Sequence, residues 1–187
     1  MDYFSVVRHS ATDTIHLFLA VAKGIQHFTS KDGGESWQGP TELAGPNPWP
    51  HAPTVGHGVE LASGALVVPA CCSAGSCALI SADAGKTWSV GGFGAKGSRE
   101  SSIAEVDCGA LVQRGTADHG AAPPSCLYMN ARNMNKNAGT AHGRFEAGST
   151  DGGVSWGHMT LSTVLTTPVT PHCACCKRAC STAVYAY

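Results

Sequence analysis

Ser30-Lys31-Asp32-Gly33-Gly34-Glu35-Ser36-Trp37 is one of three copies of an octet, S-x-D-x-G-x-[ST]-W. The second copy sets Ser81, Asp83, Gly85, Thr87 and Trp88 at the same offsets, and the third sets Ser149, Asp151, Gly153, Ser155 and Trp156. Asp32 and Asp83 lie 51 positions apart, and Asp83 and Asp151 lie 68 apart. A self-similar unit of about 50 residues points to a propeller or solenoid before any other class.

Each octet reads as a turn at the end of a strand. An apolar or β-branched run precedes it, at 25–29, 77–80 and, more weakly, 144–146. The Asp carboxylate can accept bonds from nearby backbone donors, and the Gly tolerates positive φ. The closing indole can pack beneath the turn while its ring nitrogen finds an acceptor. Asp32, Asp83 and Asp151 could also be read as catalytic acids or calcium ligands. A catalytic acid is needed once per site, however, and a turn residue once per repeat, so these carboxylates are assigned to their turns.

Composition agrees with an all-β chain. Of the 187 residues 43% are hydrophobic and only 13% charged, against roughly 25% charged in an average globular domain. With 23 Gly and 10 Pro, short apolar runs bounded by turn residues dominate, and no window has a helical period. A net charge of −1 without a basic cluster argues against nucleic acid as a partner. The longest apolar stretch, 15–22, is far short of the roughly 20 residues of a transmembrane helix. Met1-Asp2-Tyr3-Phe4 has neither the basic nor the apolar region of a signal peptide. The nine cysteines are odd in number, so they cannot all pair within the chain. Cys173, Cys175, Cys176 and Cys180 make a crowded half-site rather than the two separated pairs of a structural zinc site, and no metal or cofactor is assigned.

Outward from the octets the chain divides into about three four-stranded units over residues 1–164. A polar, Gly-rich insert is expected at 113–125, and a Cys-rich tail at 165–187 stands apart. Residues 39–53 hold five prolines and cannot form a central strand, so they read as a connection between units. Without the 13 insert residues the second octet spacing falls to 55, close to the first. Propellers close with four to eight blades, so three units are expected to be part of a larger ring.

Two further segments carry a resemblance. Val55-Gly56-His57-Gly58-Val59-Glu60-Leu61 followed by Gly64-Ala65-Leu66-Val67-Val68-Pro69-Ala70, and then Glu100-Ser101-Ser102-Ile103-Ala104-Glu105 with Leu127-Tyr128-Met129-Asn130-Ala131-Arg132-Asn133, resemble in order the segments of the sialidase (exo-α-neuraminidase) family, whose octets are its Asp boxes. The resemblance runs over about residues 4–160. It implies a six-bladed sialidase-type β-propeller, of which this chain covers about three blades, and removal of terminal sialic acid from glycoproteins, glycolipids or oligosaccharides. It also implies a secreted, lysosomal or membrane-associated setting.

Carried onto this chain, the resemblance makes Glu100 the base that partners a tyrosine nucleophile, and Arg132 one of three arginines that clamp the substrate carboxylate. The chemistry suits these residue types. The anomeric carbon of sialic acid bears a carboxylate, which would repel a carboxylate nucleophile, and sialidases are exceptions to the two-carboxylate scheme. A phenol with pKa near 10 needs a close base. A guanidinium presents a planar, permanently charged fork to a carboxylate. Glu105 is taken as structural. Arg99 stands where the family often has Asn, and Glu60 where it has Gln. The family's tyrosine nucleophile, its acid/base Asp and two of its arginines have no counterpart in the matched segments, so the 187-residue chain is expected to be an inactive fragment. The alternative is a non-catalytic glycan-binding or scaffold β-propeller that kept the octets, and a third reading is a surface or solute propeller with no sugar function.

Overall fold

The computed structural model describes residues 3–22, 24–45, 49–54, 56–113, 126–134 and 143–166. Within them the chain forms three largely antiparallel sheets in sequence. The first holds β1 (Phe4–His9), β2 (Thr14–Val21), β3 (Gly24–Ser30) and β4 (Gln38–Leu43), hydrogen-bonded in that order. β5 (Ala52–Pro53), β6 (Gly56–His57) and β7 (Val59–Glu60) are two-residue pieces; β6 runs parallel to β1, while β5 and β7 both pair with β8 (Leu66–Cys72). β9 (Gly75–Ser81) and β10 (Ser89–Val90) complete the second sheet. The third is β11 (Ser98–Val106), β12 (Cys126–Asn133), β13 (Gly143–Ser149) and β14 (Thr160–Thr166), with a six-residue helix α1 (Cys108–Gln113) after β11.

β8 shows why the sheets stack as blades. All seven of its residues, Leu-Val-Val-Pro-Ala-Cys-Cys, are buried, as expected of a strand covered on both faces. Side chains alternate along a strand. Leu66, Val68, Ala70 and Cys72 join Val7, Phe18 and Ile25 of the first sheet in one core. Val67 faces the other way and joins Ile103, Leu127, Met129 and Phe145 of the third. Burying side chains of this size stabilises by about 1.5–3 kcal/mol each, so β8 ties the three sheets into one body. Cys71 lies on the Val67 side, and that parity carries it toward the third sheet.

Each octet folds as expected, and the three copies are nearly superimposable in their bonding. Ser30, Ser81 and Ser149 each donate from Oγ to the Asp two residues on, at 2.7, 2.8 and 2.8 Å, and accept the Gly N–H at 2.9, 2.8 and 2.8 Å. Each Asp then accepts the backbone N–H and the hydroxyl of Ser36, Thr87 or Ser155. Those donors hold Asp32 far below the ordinary carboxylate range and Asp83 down at about 2. For Asp151 burial works upward, but the bonds from Ser155 and Ser149 outweigh it and the net shift is down. Gly34, Gly85 and Gly153 take φ of 97, 80 and 92°. The ring nitrogens of Trp37 and Trp88 donate to the octet's own Gly carbonyl at 3.0 and 3.1 Å, whereas that of Trp156 is buried without an acceptor among the described residues.

Several elements depart from the sequence reading. The segment read as a proline-rich connection from residue 39 instead opens with Pro40 inside β4, an edge strand where a missing N–H is tolerated. β10 and β14 carry little alternation to mark them in the sequence. Among the described residues two disulfides form, Cys72–Cys77 across the β8–β9 hairpin and Cys108–Cys126 between the start of α1 and the start of β12. The insert at 114–125 and the tail beyond Thr166, with its four cysteines, lie outside the described residues. The strands on either side of the insert nevertheless pair in register, Val106 with Cys126 and Ile103 with Met129. No helix among the described residues is long and apolar enough to cross a membrane.

Candidate active site

Glu100 and Arg132, separated by 32 positions, meet across the β11–β12 ladder. The Nη1 of Arg132 donates to both carboxylate oxygens of Glu100, at 3.0 and 2.9 Å. Their side chains keep 26% and 16% of their accessible surface, so the pair is neither sealed in a hydrophobic interface nor loose on the surface.

The local backbone brings them together. The β11–β12 register shifts by one between Arg99 and Ser101, so Arg99 and Glu100 stand together against Arg132. This is a bulge, the device by which a strand re-aims one side chain beside a site. Glu100 itself takes φ of 39°, a left-handed conformation that costs a non-glycine residue roughly 1–2 kcal/mol. Such strain persists only where the surroundings over-determine it, and it clusters at functional sites.

Tyr3 is the third member. Its phenol donates to Glu100 Oε1 at 3.0 Å. Burial first, and then the negative charge of Glu100 and the bond to it, push the phenol up to about 12. Tyr3 is therefore a neutral donor at any ordinary pH. The sequence reading expected a tyrosine beside Glu100 only from beyond the chain's matched segment. Tyr3 sits one residue before the first strand in no motif, and nothing in the sequence pointed to it.

The backbone of Glu100 is held from two other elements. Its N–H donates to Cys71 Sγ at 3.4 Å, and its carbonyl accepts from Arg144 Nη2 at 3.3 Å. Arg144 on β13 also donates from Nε to Asn130 Oδ1 of β12. Burial pushes the Cys71 thiol up, which makes it an unreactive packing group. Thr54 donates its hydroxyl to the neighbouring Ser101 carbonyl at 2.5 Å.

Glu105, Glu60 and Arg99 take structural parts. Glu105 accepts the Ala62 N–H at 3.1 Å and pins the β7–β8 turn. Glu60 accepts the N–H and hydroxyl of Ser10, both at 2.9 Å. Arg99 donates from Nη1 to the Cys72 carbonyl at 3.2 Å, and that nitrogen also lies 3.2 Å from His51 Nε2. It therefore turns its charge toward β8. Among the described residues no three His, Cys, Asp or Glu side chains converge as a metal site.

Stacked sheets of four or five strands, each with an Asp box leading into an edge strand, define a sialidase-type β-propeller scaffold. The chain belongs to the BNR repeat-like domain family, whose match covers residues 5–170. Three solved structures show how the fold is shared. The Hadza microbial sialidase Hz136 superposes with a TM-score of 0.62 at 17% identity, over 83% of this chain and 32% of that one. The intramolecular trans-sialidase from Ruminococcus gnavus, in complex with oseltamivir carboxylate, gives 0.56 at 20%, over 82% and 28%. A protein of unknown function from Dyadobacter fermentans DSM 18053 gives 0.58 at 19%, over 87% and 50%. The chain thus spans half or less of the length of each. No curated protein matches it.

Proposed function

We propose that this chain carries part of the active site of an exo-α-sialidase that releases terminal sialic acid from glycans, with Glu100 as base and Arg132 as a ligand of the substrate carboxylate. The observation that carries the reading is the Glu100–Arg132 pair at 2.9 Å, largely buried yet still open to solvent and built on a strained bulge. A scaffold strand has no reason to keep that strain. Arg132 offers a charged planar donor to an incoming carboxylate. Glu100 already accepts a phenol hydroxyl, that of Tyr3, at 3.0 Å, the geometry a base needs toward a tyrosine nucleophile.

The family's remaining catalytic groups have no counterpart in the matched segments, so the 187-residue chain by itself is expected not to turn over. The test is cleavage of a fluorogenic sialoside by a protein extended to a full ring. Activity is expected, and Glu100→Gln should lower kcat by roughly 10²–10⁴-fold, the usual contribution of a general base. Turnover by the extended protein that ignores both Glu100→Gln and Arg132→Ala would remove the assignment. Binding of a sialoside without turnover would support the second reading, a non-catalytic glycan-binding propeller. That reading is favoured by one feature, the neutral Tyr3 phenol seated on the proposed base.

A further inference from the structure

We propose that Arg144 is a positioning residue, whose guanidinium holds the Glu100 peptide in its bulge and so aims the Glu100 carboxylate at Arg132. The functional meaning of this rests on the Glu100–Arg132 reading above, but the geometry stands apart from it.

A bulge residue loses its place in the ladder, and its two peptide groups must find other partners or remain unsatisfied. For Glu100 both partners are side chains from other strands. The N–H goes to Cys71 Sγ on β8 at 3.4 Å, a weak acceptor. The carbonyl goes to Arg144 Nη2 on β13 at 3.3 Å. Of the two only Arg144 brings a charged donor; at 3.3 Å its bond is longer than a close charge-assisted one, so its part is to orient the Glu100 carbonyl. Its direction is fixed in turn, because Arg144 Nε donates to Asn130 Oδ1 on the intervening strand. The fork therefore spans from β12 to the Glu100 carbonyl and sets the rotation of that peptide plane.

The φ of 39° at Glu100 makes this support necessary. A glutamate released from these contacts would relax toward negative φ, and its Cβ would swing. The carboxylate would then leave both Arg132 Nη1 and the Tyr3 hydroxyl, since all three contacts depend on one backbone geometry. Thr54, which accepts nothing from the bulge but donates to the next carbonyl, Ser101 O, holds the strand after the bulge and leaves position 100 to Arg144.

Tyr3 reports on the arrangement without any need for catalysis. Its phenol is pushed up to about 12 by burial and then by Glu100, so at pH 11 it stays mostly protonated, whereas an ordinary phenol with pKa near 10 is mostly ionised. The experiment uses the 187-residue chain labelled at tyrosine Cζ, with the Tyr3 carbon signal assigned by Tyr3→Phe and read at pH 11. Glu100→Gln calibrates the loss of the carboxylate and should raise the ionised fraction of Tyr3. Arg144→Met, which keeps the aliphatic stem but removes every donor, should raise it in the same direction. A Tyr3 signal in Arg144→Met equal to that of the unsubstituted chain, with Glu100→Gln shifted, would overturn the proposal. Should Arg144→Met not fold, Asn130→Ala releases the guanidinium without deleting it and is read on the same scale: a raised fraction supports the proposal and an unmoved one overturns it. The site reading fails separately. Sialoside cleavage by an extended protein that is indifferent to Glu100→Gln would leave the Arg144 geometry standing and remove its catalytic meaning.

Discussion

A single nitrogen of Arg132 reaches both carboxylate oxygens of Glu100, at 3.0 and 2.9 Å, from the neighbouring strand. Both side chains are about three-quarters buried or more, so each charge depends on the other for what it lost in solvation. Pairs of this kind show themselves as coupling rather than as net stability. Glu100→Gln and Arg132→Met should each destabilise the chain, and the double variant should lose less than the two single losses combined. A coupling of about 1–2 kcal/mol is expected from contacting residues, measured by denaturant unfolding of all four chains. A coupling indistinguishable from zero would mean that the pair is not formed in solution.

Acid should act first on a buried histidine pair. His16 Nδ1 and His27 Nε2 lie 2.9 Å apart with their rings stacked. Phe18 of the same blade and Trp88 of the next pack against them. Burial, then the neighbouring His9, pushes His16 down to about 4; burial, then His16, does the same to His27. Their folded values lie below the ordinary 6.5, so the unfolded chain binds protons first. The stability held by the neutral pair is complete above pH 6.5 and is lost as pH falls from there to about 4. Linkage puts the loss on the order of 3 kcal/mol for each histidine. The Asp83 turn titrates in a separate window, from the ordinary 3.8 down to about 2. Unfolding free energy measured against pH should fall between 6.5 and 4, and replacing both histidines with Phe should flatten that limb.

Asp151 tests the turn assignment of the octets. Its carboxylate collects the Ser155 N–H at 2.8 Å, the Ser155 hydroxyl at 2.5 Å and the Ser149 hydroxyl at 2.8 Å. Asp151→Ala strands those donors, at an expected cost of about 1–3 kcal/mol. In an extended, active protein kcat should be unchanged at a temperature where the variant is folded. A large fall in kcat without a fall in Tm would return the octet aspartates to catalysis.

The Cys108–Cys126 bridge closes a loop across 18 positions. Loop-closure entropy for that length predicts a contribution of roughly 3 kcal/mol. Replacing both cysteines with Ser should lower Tm by that equivalent. Hydrogen exchange of Ile103 and Met129, which pair in mid-ladder, should stay protected below the global transition. Early exchange there would mean that the bridge, and not the strand pairing, sets the register of β11 on β12.

What was legible in the sequence was periodic or local. The octets repeat, so their turns could be read from side-chain chemistry alone, and the runs that precede them placed β3, β9 and β13. Glu100 and Arg132 could be paired only through family-like segments, because no local signal links residues 32 positions apart. Tyr3, Cys71 and Arg144 were invisible for a physical reason. Their roles come from blade stacking and from a bulge, and neither leaves a pattern within a window of the chain. A glutamate at positive φ is likewise hidden, since nothing in Arg99-Glu100-Ser101 calls for a turn residue.

The same blindness separates two glycines that the octet makes equivalent. Gly34 has φ of 97° and the nearest atom to an added Cβ is 3.7 Å away, on Trp37. Gly85 has φ of 80°, but an added Cβ would lie 2.0 Å from the His16 ring, which reaches across from the first blade. Gly34→Ala should therefore cost only the backbone term, about 1–2 kcal/mol for a left-handed alanine. Gly85→Ala carries that term and also forces His16 off its stack with His27, adding about 1–3 kcal/mol of overpacking. The comparison is a pair of urea melts at pH 7.5, where both histidines are neutral. Gly85→Ala should unfold at clearly lower urea than Gly34→Ala, and part of the excess should vanish in a His16→Ala background, which opens the space that the methyl needs. Equal costs in the two glycine variants would show that the second octet does not press on the first blade.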